Sequence, residues 1–144
     1  ALDVACGRGA VAVWLAGRGF TVDAVDVSPV ALAAAAALAG RHRVADRVRW
    51  WAHDLDLGLP AGCAGPYDVV VCQRFRDPAG YPRLAGRLAP GGLLVITVLS
   101  EVGAGGGAWR AEPGELRAAF GGLDVLAERE GNGEAGLVAR RPAR

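Results

Sequence analysis

The sequence "LDVACGRGAVAVWLAGRG", residues 2–19, decides the fold class. A short apolar run that carries Asp3 meets two glycines, Gly7 and Gly9, and a segment of small residues follows. Glycine reaches backbone conformations closed to other residues and lets the main chain approach a ligand closely. This order predicts a strand, a tight turn and a helix, with a small molecule carrying a ribose or a phosphate bound beside the turn.

The rest of the chain repeats this alternation of apolar runs and helical patterns, which predicts parallel strands joined by helices. Strands are predicted at residues 2–5, 20–26, 47–54, 67–73 and 93–99. Helices are predicted at residues 10–16, 29–39, 82–88 and 113–120. For the second helix, Ser28 is the expected N-cap, Pro29 fits the first helical position and Gly40 is expected to end the helix.

The end of the chain differs from a dinucleotide-binding domain, which would continue with a further helix and a parallel strand. Residues 123–130 and 134–140 flank "GNG", a three-residue hairpin signal. We therefore predict a single α/β domain over residues 1–144: a Rossmann-like, doubly wound, mostly parallel sheet in a three-layer αβα arrangement, with an antiparallel C-terminal hairpin strand. Residues 102–108, "VGAGGGA", are predicted to form a flexible loop beside the site.

Composition excludes several classes of protein. The 16 basic residues, all arginine, are nearly balanced by 15 acidic ones, so charge does not predict a nucleic-acid partner. No apolar run approaches the ~20 residues that span a bilayer, and no signal peptide is visible. Three cysteines without a CxxC pair indicate a reduced, cytoplasmic protein without a metal site. Because the chain lacks methionine and begins inside a predicted strand, we expect it to lack N-terminal helices.

Ligands of open α/β sheets bind outside the carboxyl ends of the strands. Asp26 lies nineteen residues beyond Gly7 at such an end, where a carboxylate can accept both hydroxyls of a ribose. Residues 7–12 also satisfy the loose GxGxx(G/A) dinucleotide pattern. Asp3 argues against a dinucleotide, because a carboxylate upstream of the turn would repel a pyrophosphate and suits an ammonium group instead. S-adenosylmethionine combines adenosine, ribose, carboxylate and ammonium.

Five motifs in this order and spacing resemble the class I S-adenosylmethionine-dependent methyltransferases. They are "LDVACGRG" (2–9), "VDAVDVS" (22–28), "HDLD" (53–56), "YDVVVCQRF" (67–75) and "LAPGGLLVIT" (88–97). The chain more narrowly resembles small bacterial methyltransferases of the tellurite-resistance-like kind. The resemblance implies S-adenosylmethionine as cofactor and methyl transfer to a small-molecule acceptor. In this comparison Ala10 stands where many family members have a third glycine.

The resemblance assigns the cofactor contacts to residues at the ends of the predicted strands. Toward the methionine part they are Asp3, near the amino group, and the main chain of Ala5, Cys6, Gly7 and Gly9. Toward the ribose and the adenine they are Asp26 at the hydroxyls, Val27 packed on the ring, Asp54 at the adenine amino group and the N–H of Leu55. Between cofactor and acceptor they are Cys72 and Gln73.

Gln73, Arg74 and Arg76 follow the fourth predicted strand and are candidates for the acceptor side of the site. Two arginines can clamp a carboxylate or a phosphate on an acceptor. The competing hypothesis is that these are ordinary surface arginines, as expected in a chain without lysine. No catalytic residue is identified beyond these candidates.

Plain structural roles compete with chemistry at several other strand ends. Asp54 could cap the turn formed by the residues after it, and Cys72 is predicted to be buried in its strand. His53 and Glu101 are predicted to be packing or loop residues rather than general bases. Two other functions stay open, namely an NAD(P)-binding Rossmann domain of an oxidoreductase and a domain that binds the cofactor without turnover. Asp3, the terminal hairpin and the lack of a substrate domain disfavour the first.

Overall fold

The strands and helices of the computed structural model, which describes residues 1–144, fall into two compact units, Ala1–Ala64 and Gly65–Arg144. The first unit contains β1 (Leu2–Val4), α1 (Ala10–Gly17), β2 (Val22–Asp26), α2 (Pro29–Arg41) and β3 (Val48–Ala52). The second contains β4 (Tyr67–Gln73), α3 (Tyr81–Gly86), β5 (Leu88–Leu99), α4 (Glu115–Ala119), β6 (Asp124–Gly131) and β7 (Glu134–Arg140). Three short 3-10 helices lie at Ala45–Arg47, Leu55–Leu57 and Pro78–Gly80.

The first unit has three parallel strands in the order β3-β2-β1. The helices α1 and α2 pack against these strands and against each other. Small and aliphatic side chains fill the space between them: Ala12, Val13, Leu15 and Ala16 from α1, and Leu32, Ala35 and Ala39 from α2. Because alanine adds little bulk, the helix backbones can approach the sheet and each other closely.

The start of α2 forms as the sequence predicts, and its end does not. The Ser28 hydroxyl accepts a hydrogen bond from the Ala31 N–H at 3.1 Å, and Pro29 occupies the first helical position. The helix passes Gly40 and continues to Arg41. Arg43, with φ of 58°, is the left-handed residue that follows the helix, so the prediction that Gly40 ends it was wrong: the helix ends two residues after the predicted residue 39.

A buried carboxylate holds β2 to β3 in the first unit. Asp23 is 5% exposed and accepts hydrogen bonds from the Arg49 guanidinium at 2.8 and 3.0 Å. It also accepts one from the Trp51 indole N–H at 3.1 Å. These charge-assisted bonds satisfy a group that would otherwise be costly to bury.

The second unit confirms the antiparallel end of the sheet. Its strand order is β4-β5-β7-β6; β4 and β5 are parallel, whereas β7 runs antiparallel to both β5 and β6. The fully buried side chains of this unit include Leu88, Leu94, Ile96, Val98, Phe120 and Leu137. The turn between β6 and β7 has two residues rather than three, because Gly131 pairs with Glu134. Asn132 and Gly133 both have positive φ, 52° and 79°, as a type I′ turn requires.

Two predicted boundaries in this region were wrong. The helix expected at residues 82–88 ends at Gly86, and Leu88 begins β5. The "APGG" segment, residues 89–92, does not precede the strand but lies inside it, where the register between β4 and β5 shifts. Gly91, with φ of 77°, accommodates this irregularity.

In the first unit, β3 covers Val48–Ala52 rather than the predicted residues 47–54. The prediction of one domain over residues 1–144 stays a prediction. No helix of the chain is both long and apolar enough to cross a bilayer.

Candidate functional site

The chain leaves β1 through a turn in which every second residue is left-handed. Ala5, Gly7 and Gly9 have φ of 57°, 55° and 86°. The turn is held by hydrogen bonds from the Cys6 N–H to the Val25 carbonyl at 2.9 Å and from the Gly9 N–H to the Cys6 carbonyl at 3.0 Å. The path from strand to helix is therefore fixed by the main chain.

The two glycines of this turn serve different purposes. A side chain on Gly7 would meet no atom within 4 Å, so the main chain here borders open space that a ligand can approach. A Cβ on Gly9 would lie 2.6 Å from the Ala35 Cβ and 3.0 Å from the Trp50 ring. Gly9 therefore has a packing requirement, because α1 packs closely on α2 and β3, and the expectation that its main chain also borders a ligand stays a prediction.

Of the two alanines near this turn, only one takes the left-handed conformation that favours glycine. Ala10 begins α1 and is not among the residues with positive φ. The left-handed residue that is not glycine is Ala5, which comes first in the series Ala5, Gly7 and Gly9. A left-handed conformation costs a residue with a Cβ about 1–2 kcal/mol, so Ala5 holds a small amount of strain.

Asp26, at the end of β2, reaches the turn. Its Oδ2 accepts a hydrogen bond from the Gly7 N–H at 2.9 Å, and its Oδ1 accepts one from the Ser28 N–H at 2.9 Å. The structure therefore brings Asp26 and Gly7 together, as their spacing predicts. A carboxylate oxygen offers two lone pairs, so each oxygen retains capacity for a ligand hydroxyl.

Asp3, just before this turn, has a carboxylate oxygen whose hydrogen-bonding capacity is not satisfied. It lies in the middle of β1, is 2% exposed, and its Oδ2 is buried without a hydrogen-bond partner. Burial raises its pKa from 3.8 to about 7; the Ala12 backbone N–H opposes the shift and the Asp26 carboxylate adds to it. An orphaned buried carboxylate oxygen fits a ligand that brings a donor, and most of all a cation.

Cys6 lies in the same turn and is not a nucleophile. Burial, followed by the Asp3 and Asp26 carboxylates, raises the pKa of its thiol to about 12. The reactive form of cysteine is the thiolate, which such an environment suppresses. The expected contribution of Cys6 through its main chain agrees with this environment.

The residues after β2 and β3 have mixed environments. Val27 is 64% exposed, and such exposure of an apolar side chain leaves it free to pack on a ligand. Asp54 caps the 3-10 helix at Leu55–Leu57, because its Oδ1 accepts from the Asp56 N–H at 2.9 Å. The structural alternative raised for Asp54 is therefore present. Leu55 is buried.

His53, which sequence reasoning set aside, lies next to Asp26 at the end of β2. Its backbone N–H donates to the Asp26 carbonyl at 3.0 Å, and the Nε2 of its ring is buried without a hydrogen-bond partner. The only signal in the sequence was its place at a strand end, next to Asp54.

In the second unit, the polar residues after β4 are occupied with one another. The Thr97 hydroxyl donates to the Gln73 Oε1 at 2.8 Å and accepts from the Arg74 N–H at 3.1 Å. The Arg74 side chain pairs with Glu134 at 2.6 Å. Cys72 is buried, as predicted, and its thiol donates to the Phe75 carbonyl at 3.5 Å.

Arg76 belongs to a separate network. Its guanidinium donates to both carboxylate oxygens of Glu115 over 2.5–3.2 Å and to the Ala108 carbonyl at 3.2 Å. The Tyr81 hydroxyl donates to the same carboxylate at 2.9 Å. Arg76 is the main cause of a lowered pKa of Glu115, while burial and then this hydrogen bond raise the pKa of Tyr81. Arg76 thus pairs within the fold and does not form the anion clamp with Arg74 that the sequence suggested.

No group of three or more His, Cys, Asp or Glu side chains is placed to hold a metal ion. The polar groups of the turn in the first unit, namely Asp3, the open main chain at Gly7 and the Asp26 carboxylate, form the candidate binding site. It suits a small ligand with three parts: a cation for Asp3, an anion or polar group for the main chain at Gly7, and vicinal hydroxyls for Asp26.

Comparison with known proteins agrees with this chemistry. Residues 1–92 match the model of a family described as a methyltransferase domain. A ubiquinone biosynthesis O-methyltransferase from a Caulobacter species is 34% identical over 105 residues, which are 69% of this chain and 40% of that protein. The chain spans 26% to 40% of the length of the curated relatives it matches.

Two solved structures share the fold. TehB from Haemophilus influenzae has a TM-score of 0.81 at 16% identity and covers 97% of this chain and 57% of its own. Geranyl diphosphate C-methyltransferase from Streptomyces coelicolor, in complex with Mg²⁺, geranyl diphosphate and S-adenosyl-L-homocysteine, has a TM-score of 0.79 at 16% identity and covers 97% of this chain and 70% of its own. These likenesses confirm the predicted Rossmann-like α/β fold with a mostly parallel sheet flanked by helices.

Proposed function

The chain belongs to the methyltransferase-domain family, and on that premise we propose that it binds S-adenosylmethionine and transfers the cofactor's methyl group to an acceptor. The resemblance of its five sequence motifs to class I methyltransferases agrees with this membership. The observation that carries the proposal is the buried, unpartnered Oδ2 of Asp3 beside the turn at Gly7.

Asp3 separates the two cofactors that a Rossmann-like turn can hold. A dinucleotide would bring a pyrophosphate to the turn, which offers no donor to the buried Asp3 oxygen and is repelled by this carboxyl once it is ionised. The amino-acid end of S-adenosylmethionine brings an ammonium group, which pairs with the Asp3 oxygen and repays its burial. The NAD(P)-binding alternative is therefore disfavoured by the same residue that favours the methyl donor.

The remaining contacts are proposed from the family resemblance. The main chain of Ala5, Cys6, Gly7 and Gly9 would line the methionine part. The adenosine part would be held by Asp26 at the ribose hydroxyls, by Val27 and the N–H of Leu55 at the adenine ring, and by Asp54 at the adenine amino group. Asp26 is well prepared for this role, because its two bonds to backbone N–H groups fix the carboxylate before a ligand arrives.

The cofactor, when bound, supplies a methyl group made electrophilic by a positively charged sulfur. The protein's task is then chiefly to hold donor and acceptor in line, and good orientation is worth up to ~7–11 kcal/mol in favourable cases. A general base is needed only for an acceptor that must lose a proton. This explains why the chain has a well-formed candidate cofactor site but no evident catalytic base.

We propose a small molecule as acceptor and Gln73, Arg74 and Arg76, with Cys72, as residues toward it. One curated relative is named for O-methylation in ubiquinone biosynthesis, and one structural neighbour holds geranyl diphosphate; both names support small acceptors. Of the two arginines, Arg74 is the better candidate, because its side chain is 72% exposed even though it pairs with Glu134, whereas the Arg76 side chain is 22% exposed and held by Glu115. We further propose a cytoplasmic location, since none of the three cysteines forms a disulfide bond.

Calorimetric titration with S-adenosylhomocysteine and, separately, NADH tests the cofactor assignment. Micromolar binding of S-adenosylhomocysteine alone is the expected result. Binding of NADH alone would make the protein a dinucleotide-binding domain and reduce Asp3 to a structural residue. Incubation of the protein with S-adenosylmethionine and a panel of hydroxylated or aminated small molecules then tests turnover; cofactor binding without any methylated product would favour a domain that does not turn over.

A further inference from the structure

We propose that Asp3 exchanges a proton for the ammonium group of the cofactor, so that cofactor binding releases a proton and weakens in mild acid. The inference rests on the proposed function, because it concerns the same site. It goes further by naming Asp3 as the group that makes binding sensitive to pH and selective for ligands that carry an amine.

The geometry of Asp3 leaves its charge uncompensated before a ligand binds. The side chain is in the first strand, 2% exposed, and its Oδ2 has no hydrogen-bond partner. An ionised carboxylate in that position is costly, whereas the protonated acid is not. The protein without ligand therefore favours the protonated form of Asp3 over a wide range of pH.

The groups that act on Asp3 reinforce this preference. From β2, the Asp26 carboxylate repels a second negative charge, and from α1 the Ala12 N–H gives partial compensation. The Cys6 thiol in the turn has a pKa of about 12 and stays neutral throughout the range of interest. Burial is the largest contribution, and the pKa of Asp3 is about 7, so the carboxyl is poised to titrate near neutrality.

The exchange is balanced. The O–H bond of the Asp3 carboxylic acid breaks, its proton passes to the buffer, and the resulting carboxylate pairs with the ligand's ammonium. No bond of the ligand changes. Near pH 7 the unliganded protein holds about half a proton at Asp3, so binding should release about half a proton, and less at higher pH.

The ligand can be divided to isolate the effect. S-adenosylhomocysteine carries the amino-acid group, whereas 5′-methylthioadenosine has the same adenosine and thioether without it. The first should release protons and lose about tenfold in affinity between about pH 7.5 and about pH 6. The second should bind without proton release and with an affinity that does not change over this range.

Calorimetry in two buffers of different ionisation enthalpy, such as phosphate and Tris, counts the protons directly. Asp3→Asn should bind 5′-methylthioadenosine like the unmodified protein, which shows that the site is intact, and should bind S-adenosylhomocysteine weakly and without proton release. His53→Gln is the matched control, because imidazole ordinarily titrates in the same range and His53 lies at the same strand ends. This control should retain proton release.

The outcomes distinguish a failure of the proton coupling at Asp3 from a failure of the proposed function. If S-adenosylhomocysteine binds with no proton release, or if Asp3→Asn still releases the proton, the coupling at Asp3 is wrong while the proposed function stands. If His53→Gln abolishes the release, the proton comes from His53 and the inference is overturned in the same way. If neither adenosine ligand binds at any pH, the proposed function itself fails.

Discussion

The turn after β1, with Asp3 just before it, and the loop after β4 both hold candidate site residues, and they differ in which hydrogen-bond partners those residues lack. At the turn, Asp3 Oδ2 is buried without a partner, and the main chain at Gly7 faces open space. After β4, Gln73 and Arg74 contact Thr97, and Arg76 is bonded to Glu115. The first region has an unsatisfied acceptor that a ligand can pair, whereas in the second the polar groups are paired with one another.

This difference shows that the position of a charged residue near a strand end does not by itself indicate a binding function. Position alone makes Asp3 and Arg76 equally good candidates. A buried group without a partner costs free energy in the unliganded protein, whereas a paired group stabilises it. The balance of partners, which the sequence does not display, therefore separates a binding residue from a structural one.

The largest expected effect tests the cost of Asp3. The pKa of Asp3 is about 7 in the folded protein against an ordinary value of 3.8, so the folded state holds the proton more tightly. The contribution of Asp3 to the stability of the unliganded protein should therefore be most favourable below its ordinary value and fall as the pH rises toward 7. Asp3→Asn removes this penalty and should stabilise the protein by up to about 4 kcal/mol at pH 8.

Urea unfolding of both proteins at about pH 5 and about pH 8 measures this effect. The advantage of the variant should grow with pH. A variant less stable than the parent at the higher pH would show that Asp3 is a structural residue satisfied within the fold, and the contrast between the two regions would disappear.

The second prediction compares the two glycines of the turn. Gly9→Ala should destabilise the protein by about 3 kcal/mol, because a Cβ would overlap Ala35 and Trp50 at a left-handed position. Gly7→Ala has the same backbone penalty of about 1 kcal/mol without an overlap. It should fold and lose affinity for S-adenosylhomocysteine. Unfolding curves and titrations of both variants check the pair; equal stabilities would mean that α2 yields to the extra methyl group.

The third prediction concerns Asp26. Asp26→Ala removes the acceptor for the ribose hydroxyls and should weaken S-adenosylhomocysteine binding by roughly 5- to 150-fold, which corresponds to about 1–3 kcal/mol. It also deprives the Gly7 and Ser28 N–H groups of their acceptor, so the titration is made at a temperature where circular dichroism shows the variant folded. An unchanged affinity in the folded variant would mean that the ribose binds elsewhere.

Most of the fold was predictable because it depends on local patterns. The apolar runs, the Ser28–Pro29 helix start and the terminal hairpin are each encoded within a few residues, and all of these elements form, with differences only in strand ends and in the length of the hairpin turn. The errors arose where tertiary contacts decide. "APGG" resembles a turn, yet pairing with β4 keeps it inside β5.

The site divides in the same way. The sequence predicted the approach of Asp26 to Gly7, since strand ends of a parallel sheet lie side by side. It could not predict that Gly9 is needed for packing against Ala35, or that Glu115 would occupy Arg76, because these contacts join residues far apart in the chain. The burial of His53 Nε2 was equally beyond pattern analysis.

The fourth prediction addresses the paired network in the second unit. Glu115→Gln keeps the shape of the side chain and removes the charge that Arg76 and Tyr81 contact. We expect a loss of about 1–2 kcal/mol of stability at neutral pH, since the pair is only partly screened from solvent. The pKa of Glu115 is lowered in the fold, so its stabilisation is present above its ordinary value of 4.5 and is lost as the pH falls further.

The difference in stability between Glu115→Gln and the parent should therefore shrink in acid, as measured by urea unfolding at about pH 7 and about pH 3. S-adenosylhomocysteine affinity should stay within about twofold. A loss of affinity comparable to that of Asp26→Ala would place this network in the binding site and break the contrast between the two regions.

The smallest effect locates the departure from the family's glycine pattern. Ala5 is left-handed, so Ala5→Gly relieves about 1 kcal/mol or slightly more of strain, while the added freedom of the unfolded chain takes back part of it. A net gain of about 0.5 kcal/mol should result. Ala10→Gly is the matched control, because Ala10 is in α1, and there the same change should cost about 0.5–1 kcal/mol. Guanidinium unfolding of the two variants distinguishes the positions by sign: stabilisation at Ala10 and loss at Ala5 would restore the alignment that the sequence alone suggested.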